Sequence, residues 1–227
     1  MGAPLKVRLI SHSQPTVDCA DLGLADMQEL VAFCARVSNP ANQLNTETSQ
    51  RLIKYLVRNQ HWSPLEMVSA CLEITTTRDI ARQMLRHRSF SFQEFSQRYA
   101  DPTQDLAFVT RQARLQDTKN RQNSIVTDDV ELQAWWDAKQ KFVIEHSRAI
   151  YQEAVARGIA KEQARAVLPE GLTESRLYMN GTLRSWIHFI ELRSANGTQL
   201  EHQQVAVACA EVIAAIFPML SDLVADH

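Results

Sequence analysis

Glycine is scarce in this chain, six in 227 residues, and those present form no phosphate-binding loop. The nearest approach to a glycine-rich signature is a lone Gly181, which excludes both the dinucleotide fingerprint and the Walker loop. A nucleotide bound here must be held by side chains. Lysine is scarce as well: of 24 basic residues, 18 are arginine and 6 lysine. With a formal charge of −2 the chain lacks the basic excess of a nucleic-acid tail. The four cysteines, Cys19, Cys34, Cys71 and Cys209, form no CxxC pair, so buried free thiols are expected rather than a disulfide scaffold. The seven histidines are scattered. The pairs Glu145-His146 and Glu201-His202 put neighbours on different helix faces, and no metal site is expected. The longest apolar stretch, 205–220, is interrupted by Glu211 and Pro218 and falls short of the ~20 residues a membrane span needs. The start MGAPLKVRLI has no charged region followed by a long apolar core, so no signal peptide is expected, and the expected location is cytoplasmic.

The length suits one domain, 1–227, with a real core. Leu5, Val7 and Leu9 alternate with polar residues as a strand does. The pattern predicts helices over 21–37 and 48–59, the latter capped by Thr46 or Thr48. Over 67–76 the period becomes two, with Val68, Ala70, Leu72 and Ile74 on one side, and a strand is expected. Residues 78–88 read as a helix on which Arg78, Arg82 and Arg86 stack at i, i+4, i+8, at a cost of a few tenths of a kcal/mol per pair unless anions intervene. Residues 89–99 mix aromatic and hydroxyl side chains with no clean period and read as a loop that carries function. A loop with a short helical piece is expected over 101–123. A long helix starts near Asp128 and ends at Arg157-Gly158, and a short one runs from Lys161 towards Pro169. An irregular strand over 172–179 and helices over 183–195 and 201–217 complete the pattern. The tryptophans at 62, 135, 136 and 186 read as core or subunit-interface residues.

Five of the arginines fall between Arg78 and Arg98. Arginine presents a rigid fork that grips carboxylate and phosphate at two points, which lysine cannot. The strongest signal is Arg86-His87-Arg88, followed by seven residues and then Ser96, with Gln83 before it and Arg98 after it. Two guanidinium groups flanking a histidine supply charge-assisted donors for phosphates. Read alone, the triplet is a solvated basic face. Interleaved Phe90, Phe92 and Phe95 argue against that and open a second reading, a non-catalytic RNA- or nucleotide-binding module that stacks bases on them.

The Arg86-His87-Arg88-x7-Ser96 pattern resembles the signature of the flavin-dependent thymidylate synthases, the ThyX family. The resemblance extends to His61-Trp62-Ser63-Pro64-Leu65-Glu66, to Cys34-Ala35-Arg36-Val37-Ser38, to Arg165-Ala166-Val167-Leu168-Pro169 and to the stretch from Leu183 to Arg193. Gln199 and Glu201 follow at the expected spacing. The ordered blocks cover roughly residues 30–205.

That resemblance implies a helix-rich α+β single domain with a central mixed or antiparallel sheet. It implies reductive methylation of dUMP to dTMP, with 5,10-methylenetetrahydrofolate as carbon donor, NADPH as reductant and bound FAD as hydride carrier. Ser63, Arg86, His87, Arg88, Glu94, Thr182, Leu183, Arg184 and His188 would hold FAD, with Asn180 an alternative to Thr182. Gln83, Met84, Leu85, Arg86, Glu94, Phe95, Ser96, Gln97, Arg98, Arg165 and Arg193 would hold dUMP. Arg193 would be the catalytic group, favouring the ionised base. No enzymic nucleophile is implied, and Ser96 reads as a positioning hydroxyl. The family is homotetrameric with active sites shared between subunits, and neither a membrane nor a stable nucleic-acid partner is implied. Arg78 and Arg82 lie outside the matched positions.

Overall fold

The structure, a computed structural model, describes residues 5–224; the first four residues and His227 of the sequence reading lie outside it. The elements follow in order: β1 (Lys6–His12), α1 (Val17–Asp21), α2 (Met27–Ala35), α3 (Ser49–Arg58), β2 (Ser69–Thr77), α4 (Arg78–Met84), β3 (Phe90–Glu94), α5 (Pro102–Asp105), β4 (Arg114–Gln116), β5 (Ser124–Val126), α6 (Val130–Ala156), α7 (Lys161–Ala164), β6 (Glu174–Thr182), α8 (Leu183–Ser194), α9 (Leu200–Ile216) and α10 (Leu220–Val224). Among the described residues no helix is long and apolar enough to cross a membrane.

The main sheet runs β1-β2-β6-β3 with every neighbouring pair antiparallel. Its period-two pattern places Ala70, Leu72 and Ile74 of β2 beside Ser175, Leu177 and Met179 of β6 on the buried side. Helices α8 and α9 cover this side with Trp186, Phe189, Ile190, Val205, Cys209 and Ile213. The buried indole of Trp186 donates to the carbonyl of Ala70 at 3.0 Å, so its polar edge is satisfied.

At one point the sheet needs glycine for close approach. Gly181 of β6 pairs with Phe90 of β3, and a Cβ there would sit 2.4 Å from the Phe90 ring. That ring stands edge-on to Trp186 at 4.9 Å and has little room to move. Gly181→Ala is expected to lower the unfolding free energy by about 1–3 kcal/mol, read from urea denaturation; unchanged stability would contradict the packing account.

Several sequence expectations need correction. The helix expected over 21–37 is shorter, Met27–Ala35, with α1 ending at Asp21 before it; Gly23 takes φ +87° and Asp26 restarts the chain by accepting from the Glu29 amide at 2.9 Å. The helix expected to reach Arg88 ends at Met84, which takes Arg86 out of the like-charge stack. Glu94 bridges the remaining two arginines, at 3.7 Å from Arg78 and 3.0 Å from Arg82. The functional loop expected over 89–99 contains strand β3, whose Phe90 and Phe92 alternate with Ser91 and Gln93. The loop expected over 101–123 has the short helical piece expected of it, α5, but also strand β4, whose partner β5 forms a hairpin with it. Of the tryptophans expected in the core or at a subunit interface, Trp186 lies in the core, while Trp135 and Trp136 are 55 % and 38 % exposed and stack on each other. Of the thiols expected to be buried, Cys209 is; Cys19, Cys34 and Cys71 are half-buried and free.

Candidate active site

The last turn of α4 and the turn after it carry the Gln83 and 86–88 side chains. They meet the C-terminal end of α8 and the N-terminal end of α9. Arg193, in the last turn of α8, donates from Nε to Nε2 of His87 at 2.9 Å. That fixes His87 as an Nδ1–H tautomer with its acceptor turned to the arginine. Its ring stands edge-on to Phe189 at 5.1 Å. Burial first, then the charges of Arg193 and Arg86, push the His87 pKa down to about 4, so the acceptor persists at neutral pH. Arg86 and Arg88 are exposed, and among the described residues neither has a carboxylate partner.

His202 of α9 is wholly buried behind this pair, 6.5 Å from the His87 ring. Its Nδ1 lies 3.2 Å from Oε1 of Gln83, and its Nε2 has no partner. Gln83 Nε2 donates to Gln199 Oε1 at 2.9 Å, and Gln199 Nε2 donates to Glu201 Oε2 at 3.0 Å. Arg114 of the β4–β5 hairpin holds Glu201 at both oxygens, at 2.7 and 3.0 Å. Burial pushes the Glu201 carboxyl up, but Arg114, its own amide and Gln199 outweigh it and bring the pKa down to about 2.

His202 is also lowered to about 4, by burial first and then by Arg193 and His87. Between pH 4 and the ordinary 6.5 the unfolded chain binds protons that the folded one excludes, so stability rises with pH through that window and is lost as acid is added. The buried His202 contributes on the order of 3 kcal/mol to that slope. Unfolding free energies at pH 7 and pH 4.5 are expected to differ less in His202→Leu than in the parent; equal slopes would contradict the assignment.

The other expected site residues divide into two further groups. Ser63 opens a 3-10 segment, Ser63–Glu66, that faces the start of α8. There Arg184 pairs with Glu66, His188 stands edge-on to Trp62 at 4.4 Å, and Thr182 caps α8 by accepting from the Ser185 amide at 3.3 Å. Asn180 and Thr182 lie two residues apart on the same face of β6, so both candidates stay on one side. Ser96, Arg98, Tyr99, Lys161 and Glu162 line a cleft of about 430 Å³, where Arg98 approaches Glu162 at 3.6 Å and Arg165 donates to the Glu162 carbonyl at 3.3 Å. No hydrogen bond or ion pair among the described residues joins this cleft to the His87–Arg193 pair.

Some expected contacts are constrained by burial. The Met84 and Leu183 side chains belong to the core, so only their backbones could meet a ligand. Leu85 is half-buried, and Phe95 uses its amide to bond the Arg176 carbonyl at 2.9 Å. Gln97 is 3 % exposed with Nε2 unpartnered. Glu94 accepts from Arg82 and, at 2.8 Å, from Ser175. Phe90 is buried and Phe92 packs against the core, which removes two of the three stacking platforms of the RNA reading. Sequence reasoning left His202 unassigned and saw nothing in Arg114; no local pattern marks either. A larger cavity, about 650 Å³, lies on the far side of the Arg114–Glu201 pair, lined among others by Thr75, Thr77, Arg111, Gln133 and Glu201. Of the residues in the family resemblance it contains only Glu201, and none of those expected to hold FAD or dUMP. Among the described residues no cluster of three or more His, Cys, Asp or Glu could hold a metal.

The family model "Thymidylate synthase complementing protein" matches residues 23–219. A "Probable flavin-dependent thymidylate synthase" of Paramecium bursaria Chlorella virus 1 is 47 % identical over 217 residues, covering 96 % of this chain and 97 % of that protein. The chain belongs to the flavin-dependent thymidylate synthase family. Another member, from Synechocystis sp., is 46 % identical over 96 % of this chain and 98 % of its own length. A solved structure, the UMP/dUMP methylase PolB from Streptomyces cacaoi bound with 5-Br dUMP, superposes with a TM-score of 0.80 at 26 % identity, covering 96 % of this chain and 93 % of that one. The helix-rich single domain with its antiparallel sheet is therefore the architecture of this family, as the sequence resemblance implied.

Proposed function

We propose that this chain methylates dUMP at C5 to give dTMP, with 5,10-methylenetetrahydrofolate as carbon donor, NADPH as reductant and FAD as cofactor. The observation that carries this reading is the half-buried contact of Arg193 with neutral His87, beside two uncommitted arginines, in a chain matched along 23–219 by the family. FAD, when bound, supplies the carriage of hydride from NADPH.

The residues present fit that cofactor. Arg86 and Arg88 offer a pyrophosphate two guanidinium groups that no carboxylate neutralises, in a chain with no glycine loop to do so. Ser63, Thr182 or Asn180, Arg184, His188 and the Leu183 backbone add donors along one edge. Glu94 is committed to Arg82 and Ser175 and keeps lone pairs for a ligand. Ser96, Arg98 and Arg165 take the nucleotide phosphate, and Gln83 and Arg193 take the base. Arg193, aimed by His87 through Nε, presents its terminal nitrogens beside uracil N3 and favours the ionised ring, which raises electron density at C5. Burial pushes the thiols of Cys34, Cys71 and Cys209 up, away from the thiolate a nucleophile needs.

The protein works as a cytoplasmic homotetramer with shared sites. Two features support the sharing of sites: the separation of the Ser96–Arg98 cleft from the His87–Arg193 pair, and the exposed Trp135, Trp136, Phe142 and Ile150 along α6, apolar side chains gathered on one helix as a subunit contact requires. Arg165→Ala and Arg193→Ala are each expected to be inactive, and co-folding the two is expected to restore part of the dTMP-forming activity through mixed oligomers. No recovery would contradict sharing. A purified protein that is colourless and takes up no added FAD would contradict the functional reading itself.

A further inference from the structure

The chain of side chains behind the site has a defined polarity. Glu201 is ionised and held at both oxygens by Arg114, so it can only accept. Gln199 must therefore turn its NH₂ group to Glu201 and its oxygen to Gln83. Gln83 in turn must point its own NH₂ at that oxygen and its Oε1 at His202. With a carbonyl oxygen facing it at 3.2 Å, His202 must carry its proton on Nδ1 and donate. Every alternative flip sets two acceptors or two donors against each other in a part-buried place, where an unsatisfied polar group is costly.

We infer that the Arg114–Glu201 pair, acting through Gln199 and locked by His202, is a positioning device that fixes the amide orientation of Gln83, and with it the order of donor and acceptor that the site offers a pyrimidine base. The inference rests on the functional reading above only for the identity of the base. Once both amide ends are engaged, Gln83 keeps one N–H and one lone pair in fixed places. The β4–β5 hairpin thereby acts on the site without touching it, because it supplies Arg114. None of these groups moves a proton to substrate; His202, Gln199, Glu201 and Arg114 act through Gln83.

Two measurements on the flavin-loaded protein test this. Neutron diffraction is expected to show deuterium on Nδ1 of His202, none on Nε2, and the Gln83 amide nitrogen towards Gln199; the opposite tautomer or flip overturns the inference whatever the enzyme's substrate is. Calorimetric dUMP affinity is expected to fall about tenfold in His202→Leu, the worth of one buried hydrogen bond. It should recover in His202→Asn, whose amide nitrogen takes the place of Nδ1. In a Gln83→Ala background His202→Leu is expected to add nothing. Equal loss in Leu and Asn, or additive loss with Gln83→Ala, means packing and overturns the device. Should the leucine variant not fold, Glu201→Gln takes its place, with loss in the parent and none in Gln83→Ala expected and the reverse contradictory. Absence of any dUMP binding by the parent would instead sink the functional reading, and the diffraction result would still decide this one.

Discussion

Arg193→Ala is expected to cut dTMP formation by about 10²–10³-fold, the usual consequence of removing one donor aimed at charge that develops in the transition state, while the purified protein stays yellow. The separation of the two effects follows from the geometry. Arg193 sits at the C-terminal end of α8 with its Nε given to His87, whereas the arginines left without carboxylate partners are Arg86 and Arg88. Its removal deprives the base of its cation and leaves the flavin's donors in place. Arg193→Lys is expected to recover little, because an ammonium cannot both donate to His87 and present a planar fork. Loss of flavin from Arg193→Ala, or kcat/KM for dUMP within tenfold of the parent, would contradict the role.

The second large effect is expected from the other arginines. Hydrogen bonds to charged groups contribute about 1.5–3 kcal/mol each, so Arg86→Ala together with Arg88→Ala should weaken FAD by about 10²–10⁴-fold and yield a colourless protein. The control is Arg82→Ala, since Arg82 is spent on Glu94 at 3.0 Å; that variant should keep its flavin. A double variant that purifies with the parent's flavin content would show that the glycine-poor chain holds the cofactor by some other means.

These expectations depend on a distinction that the sequence only partly carried. The density of arginine between 78 and 98 was plain, and so was its meaning as an anion site. Which arginines were committed was not, because Glu94 and Glu170 reach Arg78 and Arg82 only after β3 has folded back onto β6. Strand β2 was legible because its alternation runs for nine residues, and α9 because it is apolar from Val205 to Ile216 save for Glu211. The β4–β5 hairpin was not, since strands of three residues are too short to show a period. In β3 the alternation of Phe90 and Phe92 with Ser91 and Gln93 was present but hidden by the aromatic Phe95 that follows it. The motif residues themselves stood out in the sequence, but the contact of His87 with Arg193 did not, because it joins positions 106 apart in sequence. Its second layer was not, because the bonds from Gln83 to Gln199 and His202 join positions 116 and 119 apart in sequence. A buried histidine looks like core until its partner is seen, even one that directly follows Glu201.

The central claim is that an arginine-built site in this chain makes dTMP, and the most direct test is the product itself. Purified protein loaded with FAD is incubated with dUMP, 5,10-methylenetetrahydrofolate and NADPH, and the nucleotide pool is read by mass spectrometry, with each component omitted in turn. The account predicts dTMP when all are present and none when any one is left out. Yellow protein that oxidises NADPH and returns dUMP unchanged, or dTMP formed without flavin, would contradict it.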